Sequence, residues 1–120
     1  MEDKNEMAIE NPAETKEKPV ENPDIFTWVL SRPITWEGKT YETLTFDYGK
    51  LTVEDTLLIE REIHTLGLSV FSREFSGENQ IRVAARACDQ SLGVDFFKAL
   101  PMRDGNRILA HTRDFLLGTA

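Results

Sequence analysis

The chain has 120 residues, 40% apolar and 9% aromatic, with 21 acidic against 14 basic side chains and a formal charge of −7. That is material for one small domain with a modest core. No stretch is apolar enough for a membrane-spanning helix, and the start Met1-Glu2-Asp3-Lys4 has no apolar run behind it as a secretory leader would; a lone Cys88 allows neither an internal disulfide nor a thiolate metal cage.

The charge is concentrated at one end. Residues 1–24 hold 8 acidic and 3 basic side chains, 3 of the 5 prolines and no aromatic residue. Such a segment buries too little apolar surface to offset the entropy of ordering it. The expectation is a disordered acidic tail over 1–24 and a folded domain over 25–120. A docking arm or nucleic-acid mimic is the functional reading of the tail; a solubilising segment is the simpler one.

Order is expected near Asp24, where Ile25-Phe26-Thr27-Trp28-Val29-Leu30 forms a β-prone run. Ser31-Arg32-Pro33 breaks it. Ile34-Thr35-Trp36 and the run from Thr40 to Asp47 then flank Glu37-Gly38-Lys39, with Gly38 supplying the positive φ of a tight turn. Ile34 and Trp36, like Leu44 and Phe46, alternate with threonines, so two or three short antiparallel strands with one apolar face are predicted. The period then changes. Thr52 as N-cap, Asp55 three residues on, a stripe of Thr56, Ile59, Ile63 and Leu66, and a terminating Gly67 predict a helix over 53–66. Residues 67–75 read as irregular, with Val70, Phe71 and Phe75 exposed unless they pack. Ser76 caps a second helix predicted over 77–91, whose buried stripe is Ile81, Ala84, Ala85 and Cys88. Residues 94–100 make one or two helical turns stopped by Pro101. A last helix is predicted over 102–117, with Ile108, Thr112 and Phe115 inward. The fold class is α+β: a short N-terminal antiparallel hairpin or meander followed by three to four helices.

Chemistry needs a constellation, and the sequence offers little. Cys88 lies on an apolar stripe without a Cys-x-x-Cys partner and reads as a small core residue. The rival reading is a small cysteine-dependent hydrolase or transferase using Cys88 with His64 or His111. Both histidines read as solvated helix residues, and Asp55, Glu60 and Glu62 around Arg61 as an ordinary charged face. The 7 glycines form no phosphate-binding pattern. Arg82, Arg86, Arg107 and Arg113 are too sparse for a nucleic-acid surface, although an acidic regulator of a nucleic-acid-binding protein, acting through residues 1–24, is a third reading. No catalytic residue, cofactor or metal ligand is assigned.

What the pattern leaves over is apolar: Phe71, Phe75, Phe96 and Phe97. Neighbours on a helix stand about 100° apart, so at least one ring of the Phe96-Phe97 pair is expected to face solvent; the alternative places both beneath the 67–75 loop. These four are the candidate partner-binding residues.

Five segments in this order resemble the tail assembly chaperones of long-tailed bacteriophages. They are Pro33 to Phe46, Leu51-Thr52-Val53-Glu54-Asp55 running into Ile59-Glu60-Arg61-Glu62, Val83-Ala84-Ala85-Arg86-Ala87, Leu100-Pro101-Met102-Arg103-Asp104, and Ile108 with Arg113-Asp114-Phe115-Leu116-Leu117. The resemblance covers about residues 30–117; the acidic tail and the Ile25–Leu30 run lie outside it. It implies a non-enzymatic protein of the host cell cytoplasm that binds the aggregation-prone tape measure protein, helps recruit the tail tube protein, and leaves before the virion is finished. It implies no cofactor, nucleic-acid or membrane partner, and leaves self-association open.

Overall fold

The computed structural model describes residues 24–119, so the expectation for the acidic tail lies outside the described residues. The architecture is α+β. Strands β1 (Ile25–Trp36) and β2 (Lys39–Asp47) form one antiparallel hairpin, followed by a 3₁₀ turn at Tyr48–Lys50 and helices α1 (Val53–Thr65), α2 (Gly77–Ala87), α3 (Val94–Lys98) and α4 (Met102–Leu117). No described helix is long and apolar enough to cross a membrane.

The local signals act as their chemistry requires. Glu37 and Gly38 both take positive φ, at 50° and 83°, which matches the hairpin turn to the strand twist. Asp55 accepts the Thr52 backbone N–H at 2.8 Å and so closes the start of α1. Ser76 Oγ accepts the Asn79 N–H at 3.2 Å at the start of α2, and Gly67 and Gly118 turn the chain out of α1 and α4 with left-handed φ.

Ser31-Arg32-Pro33 does not end the first strand; β1 runs through it. Val29 pairs with Thr43 and Ile34 with Tyr41, so the four residues Leu30–Pro33 stand opposite the single Glu42. Pro33 therefore falls in an irregular, unpaired stretch of the strand, where it removes no ladder hydrogen bond. The bulge bends the hairpin, and its far end, Ile34, Trp36 and Tyr41, packs on the core.

That bend explains a correction. Phe96 and Phe97 are both buried, at 1% and 5% exposure, so neither ring of the pair faces solvent. Nor do they lie beneath the 67–75 loop. Phe96 meets Trp36 and Tyr41 edge-on at 5.6 and 5.7 Å, while Phe97, perpendicular to it, reaches Phe46 at 5.9 Å. Two directions about 100° apart are both inward when a curled hairpin covers a one-turn helix from two sides.

The second helix also differs from expectation, stopping at Ala87 rather than running to 91. Cys88 is extended and bridges Phe46, Asp89 N–H donates to Thr45 O at 2.8 Å, and Gln90 Oε1 accepts the Thr45 N–H at 3.2 Å. The chain thus lends the open edge of β2 a partner, which competes successfully with further helix. The buried face of α2 is Val83, Ala84 and Ala87, with Ile81 and Ala85 only half-buried. On α1, Ile59 and Ile63 are buried but Leu66 is exposed.

Two polar contacts tie α4 to the hairpin and to the 3₁₀ turn that follows it. Asp104, fully buried, accepts the Trp28 indole N–H and the Ser31 backbone N–H on Oδ1, both at 2.9 Å, and the Ser31 hydroxyl on Oδ2 at 2.7 Å. Burial opposes its ionisation, but these donors outweigh that and hold its carboxyl below the usual range. Further along α4, the buried Thr112 hydroxyl donates to Ile108 O at 2.9 Å, which leaves its lone pairs to the Tyr48 hydroxyl, also at 2.9 Å. Burial pushes the Tyr48 phenol up to about 12.

Asp104→Ala strands three donors at once and is expected to cost about 2–4 kcal/mol of unfolding free energy in urea titrations at neutral pH. Because the folded-state pKa is depressed, this stabilisation is present above the ordinary carboxylate value of 3.8 and is lost as pH falls through the folded value. Thr112→Val is expected to cost about 1–3 kcal/mol by leaving a buried phenol unpaired, and adding Tyr48→Phe should recover part of that loss in a double-mutant cycle.

Candidate functional site

The segment between α1 and α2 presents two of the four candidate rings. Phe71 is fully exposed and Phe75 is 67% exposed, with Val70 half-buried beside them. The first turn of α2 grips the backbone beneath them: Asn79, itself buried, donates from Nδ2 to Arg73 O at 3.0 Å, and Gln80 Nε2 donates to Glu74 O at 2.6 Å. Arg73 reaches back to Glu60 on α1 at 2.7 Å, and the Ser72 hydroxyl donates to Glu74 at 2.8 Å. Two side-chain amides thus hold the backbone of this segment, and its two phenylalanines project into solvent. Phe96 and Phe97 belong to the core and take no part in it.

Exposed apolar residues continue along α1. Val53, Leu57, Leu66 and Leu68 are all exposed, and three adjoining clefts follow this flank. The first lies between Leu57, His64 and Leu68, the second beneath Phe71 beside Arg73 and Leu116, and the third between α1 and the end of α4. Charged pairs brace it. Arg86 of α2 donates to Asp55 and Glu62 of α1, both at 2.9 Å, and the buried Arg82 pairs with Glu78 and stands 3.6 Å from Glu62. The acidic face of α1 is therefore half of a cross-helix ion network, and Arg82 and Arg86 are structural rather than merely solvated. The backbone N–H of Thr52, ahead of Arg86, holds the Asp55 carboxyl below its usual value.

The groups named for the enzymatic alternative lie in different settings. Cys88 is buried and its thiol donates to Gln90 at 3.3 Å; desolvation pushes it up, away from the reactive thiolate. His64 is exposed on α1. His111, expected in solvent, instead stacks on Phe26 with centroids 3.9 Å apart, and its buried Nε2 has no hydrogen-bond partner among the described residues. Burial lowers its pKa, against a smaller opposing pull from Asp114. Beside it Arg107 lies 5.5 Å above the Trp28 ring. Among the described residues no group of three or more His, Cys, Asp and Glu side chains is placed to hold a metal ion.

Comparison of the chain with models of known protein families, with curated proteins and with solved structures returns no match in any of the three.

His111 carries a pH signature. Its folded pKa is below the ordinary 6.5, so the unfolded chain binds the extra proton more readily; stability is complete above that value and declines as pH falls below it. Denaturation midpoints between about pH 7 and 5.5 should fall in the wild type, and His111→Phe should flatten that slope. For Cys88, alkylation by iodoacetamide under native conditions is expected to be slow and to become rapid only in denaturant.

Proposed function

We propose that this protein is a tail assembly chaperone of a long-tailed bacteriophage, acting by stoichiometric binding rather than catalysis. Its client is the tape measure protein, which it holds soluble in the host cytoplasm while tail tube subunits are recruited, and it departs before the virion is complete. The observation that carries the reading is Phe71, wholly exposed on a backbone pinned by Asn79 and Gln80, at the end of an apolar flank that runs along α1. A holdase needs such a surface to engage apolar segments and needs net charge to keep the complex dispersed; the chain carries −7. The segments resembling that family, spread over about residues 30–117, include Val53–Asp55 and Ile59–Glu62 of α1. The buried, hydrogen-bonded state of Cys88 favours this reading over the cysteine-dependent enzyme.

Co-expression with the tape measure protein, followed by affinity capture, tests the proposal. The wild type is expected to raise the soluble tape measure yield and to co-purify with it. Phe71→Ser, alone and with Phe75→Ser, should weaken capture by about tenfold or more while the melting temperature stays within a few degrees, because neither ring supports the core. Unchanged capture by the double variant, or none by the wild type, would contradict it.

A further inference from the structure

We propose that two copies of this chain associate through the open edge of β1, pairing Ile25–Val29 of each antiparallel about a two-fold axis at Thr27, so that two hairpins become one four-stranded sheet. The proposal does not depend on the chaperone reading. Thr45 turns its backbone groups away from β1: its N–H donates to Gln90 and its carbonyl accepts from Asp89. In an antiparallel ladder, a residue turned away from its partner strand stands opposite one that is turned away as well. Thr27, opposite Thr45, therefore aims its N–H and C=O at the free edge of β1, and Ile25 and Val29 do so at the two-residue period. Tyr48 N–H, donating to Asp24 O at 2.9 Å one pair beyond Ile25, fixes the same phase. Among the described residues, none outside the hairpin hydrogen-bonds to Ile25, Thr27 or Val29. Ser31 N–H, further on, is taken by Asp104, which ends the open stretch.

The composition of this edge selects a second copy as its occupant. Sheet edges are ordinarily guarded by charge, proline or a covering segment. Along β2 those guards are Lys39, Glu42 and the Cys88–Gln90 segment, and the irregular stretch of β1 has Arg32 and Pro33. Ile25-Phe26-Thr27-Trp28-Val29-Leu30 has none. Pairing about Thr27 sets Ile25 against the partner's Val29 on the outer face, where these residues are 41% and 67% exposed. On the inner face it sets Phe26 against the partner's Trp28, an aromatic cross-strand pair. Both rings are half-buried and line a cleft of about 260 Å³ between β1 and α4. Arg107 lies over Trp28 in this cleft, and further along α4 come His111, stacked on Phe26, and Asp114. The two-fold reverses one cleft against the other. Arg107, which has no ion-pair partner among the described residues, then stands toward the partner's Asp114, whose neighbour Arg113 does not line the cleft. Residue 27 alone meets itself, so the register is self-complementary.

Sedimentation equilibrium of the full chain at about 100 µM is expected to give twice the 13.7 kDa chain mass. Thr27→Lys and Thr27→Glu each place like charges face to face on the axis and should weaken the dimer about tenfold. Their amide dispersion in NMR should stay native, because Thr27 is exposed. An equimolar mixture of the two should restore the dimer, since the axis then sets lysine against glutamate, and Thr27→Ser should leave it intact. A wild type that stays monomeric, a dimer indifferent to both charged substitutions, or a mixture no stronger than either variant alone overturns the proposal. A monomer whose tape measure capture is lost in Thr27→Lys but kept in Thr27→Ser gives the edge to a client strand and overturns it too.

Discussion

The buried carboxylate of Asp104 ties the bent hairpin to the helices. Asp104 has no exposed surface, and an ionised group so placed is tolerated only when its oxygens are filled. Trp28 and Ser31 fill them, and the first turn of α4 adds the favourable end of the helix dipole. Of its partners, Ser31 lies within, and Trp28 just before, the stretch where four residues of β1 stand opposite one of β2. Fixing the bulge fixes the bend of the hairpin, and the bend sets Trp36 and Tyr41 around Phe96. The core then follows as a connected set of rings through Phe97, Phe46, Phe26 and Tyr48.

The core contacts involve neither of the exposed rings proposed to meet a partner. The buried cluster runs through the hairpin, α2, α3 and α4 together with Ile59 and Ile63 of α1, whereas Phe71 and Phe75 are exposed in the segment between α1 and α2. The cross-helix ion network lets Glu62 and Asp55 position α1 on α2 without drawing its outer apolar residues inward. Exposed ion pairs contribute little each, and here their geometric role exceeds their energetic one. Apolar surface can then stay exposed without loosening the core, as the proposed stoichiometric binding of aggregation-prone segments requires.

Much of this was legible in the sequence where a local rule governs. The Gly38 turn, the Thr52-Asp55 and Ser76 caps and the inward Ile59, Ile63, Ile108 and Thr112 follow from spacing and side-chain chemistry within a few residues. What escaped depends on long-range partners. Asp104 in a helix's first turn looks like an ordinary dipole-compensating residue until Trp28, 76 positions away, is known to face it. Phe96 and Phe97 were misplaced because helical geometry gives directions, not what stands in them. Cys88 was rightly assigned to the core, but as the end of α2 and the edge partner of β2, a pairing no spacing rule reveals. Of the candidate site, Phe71 and Phe75 were visible as apolar residues without periodicity; their fixing by Asn79 and Gln80 was not.

Native-state hydrogen exchange of the Trp28 indole and Ser31 amide protons, followed by NMR, tests the role of Asp104 most directly. If the carboxylate holds the hairpin on the helices, both protons exchange only through global unfolding, with protection within about tenfold of the slowest core amides of β2. Exchange through local opening, orders of magnitude faster than the β2 core while the rest stays protected, would show that the hairpin is held by its aromatic contacts and that Asp104 is incidental.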